Sequence, residues 1–185
     1  MNDEFLFYFT LGFTSVIVFL AVTEVFVKSL KEKTLQIGVI YSDESIKQAY
    51  SGELKQYQAS AGFDLRALLK EDVSIKIPAG ECVKVGTGLK FDIPYSHWMM
   101  ITPRSGLGSK GLVLGNLTGV IDPDYQGEII LPLYNRTSED ITILEGDRVA
   151  QGIILPRYEV TFKEIESFSE ESERGSKGFG SSGKS

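Results

Sequence analysis

Five short segments of the chain combine glycines with charged or aromatic residues in patterns that could bind a phosphate ester. They lie at residues 61–65, 103–108, 119–128, 146–151 and 174–183. Glycines let backbone N–H groups approach phosphate oxygens, an arginine fork grips a phosphate, and an aromatic ring stacks on a base. The last segment contains Arg174 and Phe179. The pattern therefore indicates a nucleotide site with a lid formed by the C-terminal residues.

Each segment taken alone also has an explanation without chemistry. A carboxylate beside a glycine is common in turns, and a Gly/Ser-rich stretch is common in linkers. Asp147 and Arg148 look like an ion pair at the start of a strand. The functional interpretation rests on the five segments occurring together.

Composition narrows the classes of protein that the chain can form. It has 185 residues, a formal net charge of −6, one cysteine and one histidine. An acidic chain is not expected to hold a nucleic-acid backbone non-specifically, so no nucleic-acid partner is predicted. Because Cys82 and His97 are single, one chain contains neither a disulfide nor a multi-Cys or multi-His metal site.

The N-terminal segment differs from the rest of the chain. No residue from Phe5 to Thr23 is charged, and three lysines follow within residues 28–33. A helix needs about 20 apolar residues to cross a membrane, and lysines after it favour a cytoplasmic domain. We therefore expect a transmembrane helix, with the membrane as a partner through residues 5–27. An interfacial helix or a segment buried in an oligomer is the alternative.

Residues 34–166 predict an all-β domain. Short alternating runs are separated by Gly, Pro and Asp about every ten residues, which is typical of a sandwich, jelly roll or barrel. The predicted strands cover residues 73–77, 89–93, 98–102, 128–134, 141–144, 148–155 and 160–165. Residues 1–33 are expected to form the anchor and a basic linker. Residues 167–185 are expected to form a mobile Gly/Ser-rich lid.

In this order, the five segments resemble the five motifs of the trimeric deoxyuridine triphosphatase (dUTPase) family. The resemblance covers residues 34–183, and Gly-Leu-Gly after Arg104-Ser105 points to the bacterial type. It implies a dUTPase-like jelly-roll or β-clip barrel and a homotrimer with shared active sites. It also implies hydrolysis of dUTP to dUMP and pyrophosphate with Mg²⁺ as cofactor. That reaction supplies dUMP and limits the incorporation of uracil into DNA.

The resemblance assigns the catalytic role to Asp122, which would orient and deprotonate the water that attacks the α-phosphorus. Tyr125 would pack under the deoxyribose and exclude a 2′-hydroxyl. Taken alone, Asp122 also fits a hairpin turn, and Tyr125 also fits a core aromatic residue.

The same resemblance places uracil recognition on the hairpin of the third motif, through backbone groups and the side chain of Asn116. Asn116 also fits a plain turn residue. The residues implied to contact the base are Asn116, Val120, Ile121 and Ile130.

Phosphate binding and the lid are implied for the second, fourth and fifth motifs. The residues are Arg104, Ser105, Gly106, Gln151 and Arg174 for the phosphates, and Phe179 and Gly180 for the lid over the uracil. No side chain is expected to bind the metal directly, since the triphosphate would hold it. Asp64 would act near the metal through a water or would be structural, and both interpretations stay open.

One residue departs from the family pattern, since Lys177 replaces the first glycine of a pair in the fifth motif. Three alternative functions stay open beside the main one. They are a dCTP deaminase-type enzyme, a membrane-tethered nucleotide-binding regulator without turnover, and a β-sandwich coat protein with an anchor. Intact Asp122, Arg104 and Gln151 favour an enzyme.

Overall fold

The structure, a computed structural model, describes residues 34–50, 54, 57, 59–70, 72–176 and 178. Within these residues the chain forms short antiparallel strands and two helices of five or six residues. The helices are α1 (Glu44–Ala49) and α2 (Ser105–Ser109). The strands are β1 (Gly38–Tyr41), β2 (Gly62–Arg66), β3 (Ser74–Ile77), β4 (Cys82–Gly86), β5 (Leu89–Asp92), β6 (His97–Pro103), β7 (Leu112–Leu114), β8 (Gly119–Ile121), β9 (Ile130–Asn135), β10 (Ile141–Leu144) and β11 (Arg148–Pro156).

The strands form four small sheets around one core. Their orders are β2-β11-β6-β8, β4-β9-β7, β1-β5 and β10-β3. Alternation decides which side chains face inward: in β9, Leu131 and Leu133 are buried while Ile130 is exposed. Each such burial contributes roughly 1.5–3 kcal/mol. The all-β jelly-roll expectation is confirmed.

One predicted strand is wrong. Residues 160–165 form no strand, and Phe162 is 99% exposed. Their alternation is genuine, but no neighbouring strand in the described part of the chain accepts their backbone hydrogen bonds. A strand needs such a neighbour to satisfy its backbone groups.

The predicted fold class is also corrected at its N-terminal end. The longest described helix, α1, has six residues, a length of about 9 Å against a hydrocarbon core of about 30 Å. None of the described helices is long and apolar enough to span a membrane. The added transmembrane helix and its membrane partner are therefore not supported. Residues 1–33, on which that prediction falls, lie outside the described residues.

Helix α1 is capped at its start by its own N-cap residue and is tied to the β domain at its end. At its start the Asp43 carboxylate accepts a hydrogen bond from the Ile46 N–H at 3.0 Å. The Ser45 hydroxyl and this N–H lower the pKa of Asp43. At its end the hydroxyl of buried Tyr50 accepts the Arg66 N–H at 2.8 Å. The helix thereby covers one part of the core.

Tyr50 makes the stability of the domain sensitive to alkaline pH. Burial raises the pKa of Tyr50 to about 12, whereas a solvated tyrosine titrates near pH 10. The unfolded chain therefore loses this proton first, and the stabilisation present below about pH 10 is lost as pH rises towards 12. We expect a loss of about 2 kcal/mol over that window.

Urea titrations of the wild type and Tyr50→Phe measure this effect. Below about pH 10 the variant should be less stable by about 1–2 kcal/mol, because the Arg66 N–H loses its acceptor. The difference in free energy of unfolding between the wild type and the variant should disappear between about pH 10 and 12. A gap that stays constant with pH would contradict the prediction.

Candidate active site

Residues of the first, second and fourth segments meet in one surface cavity of about 360 Å³. Its walls include Tyr57, Ser60, Asp64, Arg104, Ser105 and Gln151. Strand register brings them together, because Gln151 in β11 is paired with Asp64 in β2 and with Thr102 in β6. Arg104 directly follows Pro103, the last residue of β6, and Pro103 is paired with Ala150, the neighbour of Gln151.

Asp64 holds two arginines at the cavity wall. Its Oδ1 lies 2.8 Å from Arg104 Nε, and its Oδ2 lies 3.2 Å from Arg148 Nη1. The Asp64 side chain is 18% exposed and that of Arg104 is 31% exposed. Two guanidinium groups against one carboxylate leave the cavity wall positive, which suits an anionic ligand. Hydrogen bonds to the carboxylate also set the orientation of the Arg104 fork.

Gln151 and α2 complete this wall. Gln151 Nε2 donates to the Pro103 carbonyl at 3.2 Å, which holds the end of β6. A Cβ at Gly62 would lie 3.2 Å from Gln151 Oε1, so glycine leaves room for this amide. Ser105 and Gly106 open α2, and Arg136 Nη2 donates to the Gly108 carbonyl near the end of that helix at 3.0 Å.

Asp122 and Tyr125 lie on a separate loop that follows β8. Asp122 is exposed, and its carbonyl accepts the Tyr125 N–H at 3.1 Å. The Tyr125 hydroxyl donates to the Glu128 carbonyl at 2.9 Å. Its ring lies against Gly127, where any Cβ would overlap it. Since Tyr125 is 43% exposed, the alternative of a plain core aromatic is wrong.

Of the residues expected to contact a base, Val120, Ile121 and Ile130 flank this loop in sequence, whereas Asn116 lies before β8, at its other end. Asn116 lies exposed in the turn between β7 and β8, and Val120 is exposed in β8. Ile121 is half-buried, and Ile130 is exposed at the start of β9. Because β8 is an edge strand of its sheet, part of its backbone is open to a ligand that offers hydrogen-bond partners.

Asp122 and Arg104 lie at opposite ends of the β6–β8 pair. Ile121 is paired with Met99, and Asp122 is one residue beyond that pair. Arg104 lies just after Pro103, beyond the other end of the pair. Six residues of strand span about 20 Å. The fold of one chain therefore does not bring the cavity and the loop into contact.

The residues of the last segment are only partly placed. Arg174 lies in an exposed turn at residues 173–176. Phe179 and Gly180 lie outside the described residues, as does Lys177. The structure adds four residues that the sequence analysis did not select for a site. They are Tyr57, Ser60, Glu128 and Arg148; only the last two lay inside recognised motifs.

The wall of the cavity is positively charged, and the edge strand β8 has backbone groups open to a ligand. These two features of a small antiparallel β domain suit an enzyme that acts on a nucleotide phosphate. The sequence profile of the dUTPase family matches residues 53–183. The chain belongs to the dUTPase family, and it is an enzyme that hydrolyses dUTP.

Individual relatives agree with this assignment. A deoxyuridine 5′-triphosphate nucleotidohydrolase of a gamma-proteobacterium is 47% identical over 133 residues, covering 70% of this chain and 94% of that one. A mutant dUTPase of Staphylococcus bacteriophage 80alpha, solved with dUpNHpp, is similar at 25% identity with a TM-score of 0.69. That likeness covers 81% of this chain and 99% of that chain.

A more distant structure shares the fold alone. It is a mutant dUTPase of phage phi11 of S. aureus, which coordinates a structural Mg(II) ion. Its TM-score is 0.63 at 21% identity, and the likeness covers 74% of this chain and 100% of that chain.

Proposed function

We propose that the protein cleaves dUTP between the α- and β-phosphorus atoms, and that the cavity of Asp64, Arg104, Ser105 and Gln151 binds the triphosphate. The observation that carries this proposal is the pairing of Arg104 with Asp64 at 2.8 Å in a positively charged wall. A fixed guanidinium group neutralises charge that develops on the departing pyrophosphate. Ser105 and Gln151 supply a hydroxyl and an amide N–H for the phosphate oxygens.

Asp122 is proposed as the general base. Its exposed carboxylate at the end of β8 accepts a proton from water while the water oxygen bonds to the α-phosphorus. The bond from the α-phosphorus to the bridging oxygen breaks, and pyrophosphate leaves with the electron pair. The products are dUMP and pyrophosphate.

Tyr125 and the β8 edge are proposed to select the deoxyuridine. The ring of Tyr125 is held against Gly127 by the hydrogen bond from its hydroxyl to the Glu128 carbonyl, so it forms a rigid surface beneath the sugar. A ribose 2′-hydroxyl would overlap with this ring. Backbone groups of Val120, Ile121 and Ile130, with Asn116, would pair with the uracil edge. Cytosine reverses the donor and acceptor at that edge and would leave buried groups unpaired.

Mg²⁺ is proposed as the cofactor, bound by the triphosphate. When bound, it would neutralise phosphate charge and polarise the α-phosphoryl group. The donor set fits this arrangement, because both carboxylate oxygens of Asp64 are bonded to arginines. Asp64 would then reach the metal only through a water.

A homotrimer with composite sites is proposed because the two halves of the chemistry are far apart in one chain. The separation of about 20 Å between Asp122 and Arg104 exceeds the distance between neighbouring phosphates several-fold. A site that needs both residues must then take them from different copies. Closed rotational symmetry would supply three equivalent sites.

The C-terminal arm, residues 157–176, supports the same assembly. It leaves β11 as exposed chain, and large apolar side chains along it are open to solvent. They are Tyr158, Val160, Phe162, Ile165 and Phe168. Such a row is unusual on a free surface and suits packing on a neighbouring subunit. The arm would then carry Arg174 to a phosphate and Phe179 and Gly180 to the uracil of that neighbour.

Pyrophosphate release from dUTP, dCTP, dTTP and UTP, with and without Mg²⁺, tests the proposed function. We expect rapid release from dUTP with Mg²⁺ and at least 100-fold less from the other nucleotides. Ammonia release from dCTP would instead favour the deaminase-type alternative. Equal turnover of UTP would contradict the proposed role of Tyr125.

Asp64 has a predicted role that can be separated from metal binding. Asp64→Asn removes the charge that holds Arg104 and Arg148, so the KM for dUTP should rise about ten-fold as the arginine fork loses its orientation. The Mg²⁺ concentration for half-maximal activity should stay unchanged, as titrations of both proteins would show. A large increase in that concentration would instead assign Asp64 to the metal.

A further inference from the structure

The loop that carries Asp122 and Tyr125 is tied to a turn at residues 86–88 by one side chain, Glu128. Glu128 Oε1 accepts two backbone hydrogen bonds, from the Gly88 N–H at 2.8 Å and from the Thr87 N–H at 3.1 Å. Both donors lie in the turn between β4 and β5. A carboxylate accepts such bonds more strongly than a neutral group does.

The glycines of that turn make this approach possible. A Cβ at Gly86 would lie 2.5 Å from Glu128 Oε1. Gly88 has a φ of +68°, a backbone conformation that favours glycine. Thr87, which lies between the two glycines, adds a second tie, because its buried hydroxyl donates to the Ile129 carbonyl at 2.9 Å. The turn is therefore built around residues 128 and 129.

The other side of Glu128 faces the proposed site. Its carbonyl accepts the Tyr125 hydroxyl, and the Tyr125 N–H donates to the Asp122 carbonyl. Residues 122–129 belong to no strand, and ladder pairing resumes only at Ile130 opposite Gly86. Side-chain bonds therefore hold most of this stretch, together with one backbone bond from the Ile129 N–H to the Leu89 carbonyl at 2.9 Å.

We propose that Glu128 is a positioning residue that fixes the loop of Asp122 and Tyr125 against the turn at residues 86–88. It does not touch the substrate, and this role rests on the proposed function of that loop. Without this tie, the loop keeps its internal bonds and, within the described residues, is held from outside only at residue 129, by the Thr87 hydroxyl and the Leu89 carbonyl. Displacement of about 1 Å at a reacting group can cost as much as 100-fold in rate.

The test compares Glu128→Ala, Glu128→Gln and Glu128→Asp with the wild type. Gln keeps an acceptor oxygen at the same reach, so we expect kcat within about three-fold of the wild type. Ala removes the acceptor and Asp withdraws it by one methylene, so kcat should fall about ten-fold or more in both. The ratio of kcat/KM for dUTP to that for UTP should fall with it, because Tyr125 is loosened.

Glu145→Ala is the matched control. Glu145 Oε2 also accepts a backbone N–H across a turn, from Leu69 at 2.5 Å, away from the loop. Glu145→Ala should lower the melting temperature about as much as Glu128→Ala does, and it should leave the ratio of kcat/KM for dUTP to that for UTP unchanged.

The proposal is overturned if the Glu128 variants keep the wild-type value of this ratio, or if Glu128→Gln loses as much kcat as Glu128→Asp. If Glu128→Ala does not fold, the Gln and Asp pair still decides. Wild-type turnover of dUTP tests the proposed function separately.

Discussion

Replacing Asp122 with Asn is expected to lower kcat for dUTP by about 100- to 10,000-fold. Asparagine has the same shape but cannot take a proton from the attacking water. The loop should keep its conformation, because the hydrogen bond between residue 122 and Tyr125 uses the backbone carbonyl of residue 122. Single-turnover hydrolysis measures the chemical step, and the affinity for a non-hydrolysable imido analogue of dUTP should stay within a few-fold of the wild type.

Asp124→Asn provides the control for this prediction. Asp124 is an exposed carboxylate two residues further along the same loop. Its replacement changes the charge of the loop by the same amount and should leave kcat nearly unchanged. Equal losses in the two variants would mean that loop charge, rather than a base at residue 122, drives the rate. An active Asp122→Asn enzyme would remove the general base from the proposed mechanism.

Mixing two inactive variants is expected to restore activity. Asp122→Asn and Arg104→Ala each damage one half of the site, and the two halves lie about 20 Å apart in one chain. When the subunits are unfolded together and reassembled, some sites receive an intact Asp122 from one copy and an intact Arg104 from another. For random assembly at equal amounts, about one quarter of the sites should be complete. Steady-state hydrolysis of dUTP reports that fraction.

The control mixture combines two variants of the same cavity. Arg104 and Gln151 line one wall of one chain, so Arg104→Ala with Gln151→Ala should show no more activity than the mean of the two separate proteins. Recovery in this mixture would show that the cavity itself is divided between subunits. No recovery in the first mixture, with assembly confirmed by light scattering, would contradict the composite site.

Local patterns predicted the strands well where a partner strand was available. The alternation of residues 141–144 is bounded by turn residues, and β10 begins and ends at those positions. Residues 160–165 show the same alternation, yet they lie exposed without a ladder. Periodicity describes the faces of a strand, but it contains no information on whether a neighbour completes its hydrogen bonds.

The site shows the same limit. The motifs predict Arg104, Ser105 and Gln151 as site residues, and the fold places them in one cavity. The sequence predicts an ion pair between Arg148 and Asp147, whereas Arg148 contacts Asp64, 84 residues away in sequence. Glu128 lies inside a motif, and its side chain is bonded to a turn 40 residues earlier. Such contacts follow from strand register, which short segments do not specify.

The sequence by itself determined the family, the order of the five motifs, and the residue types that phosphate and base chemistry need. Only the tertiary structure decided which arginines the Asp64 carboxylate holds, how the loop is tied down, and that Asp122 stands far from Arg104 in one chain. The reason is that side-chain chemistry is a property of each residue. Distance and orientation depend on antiparallel pairing between strands that are remote in sequence.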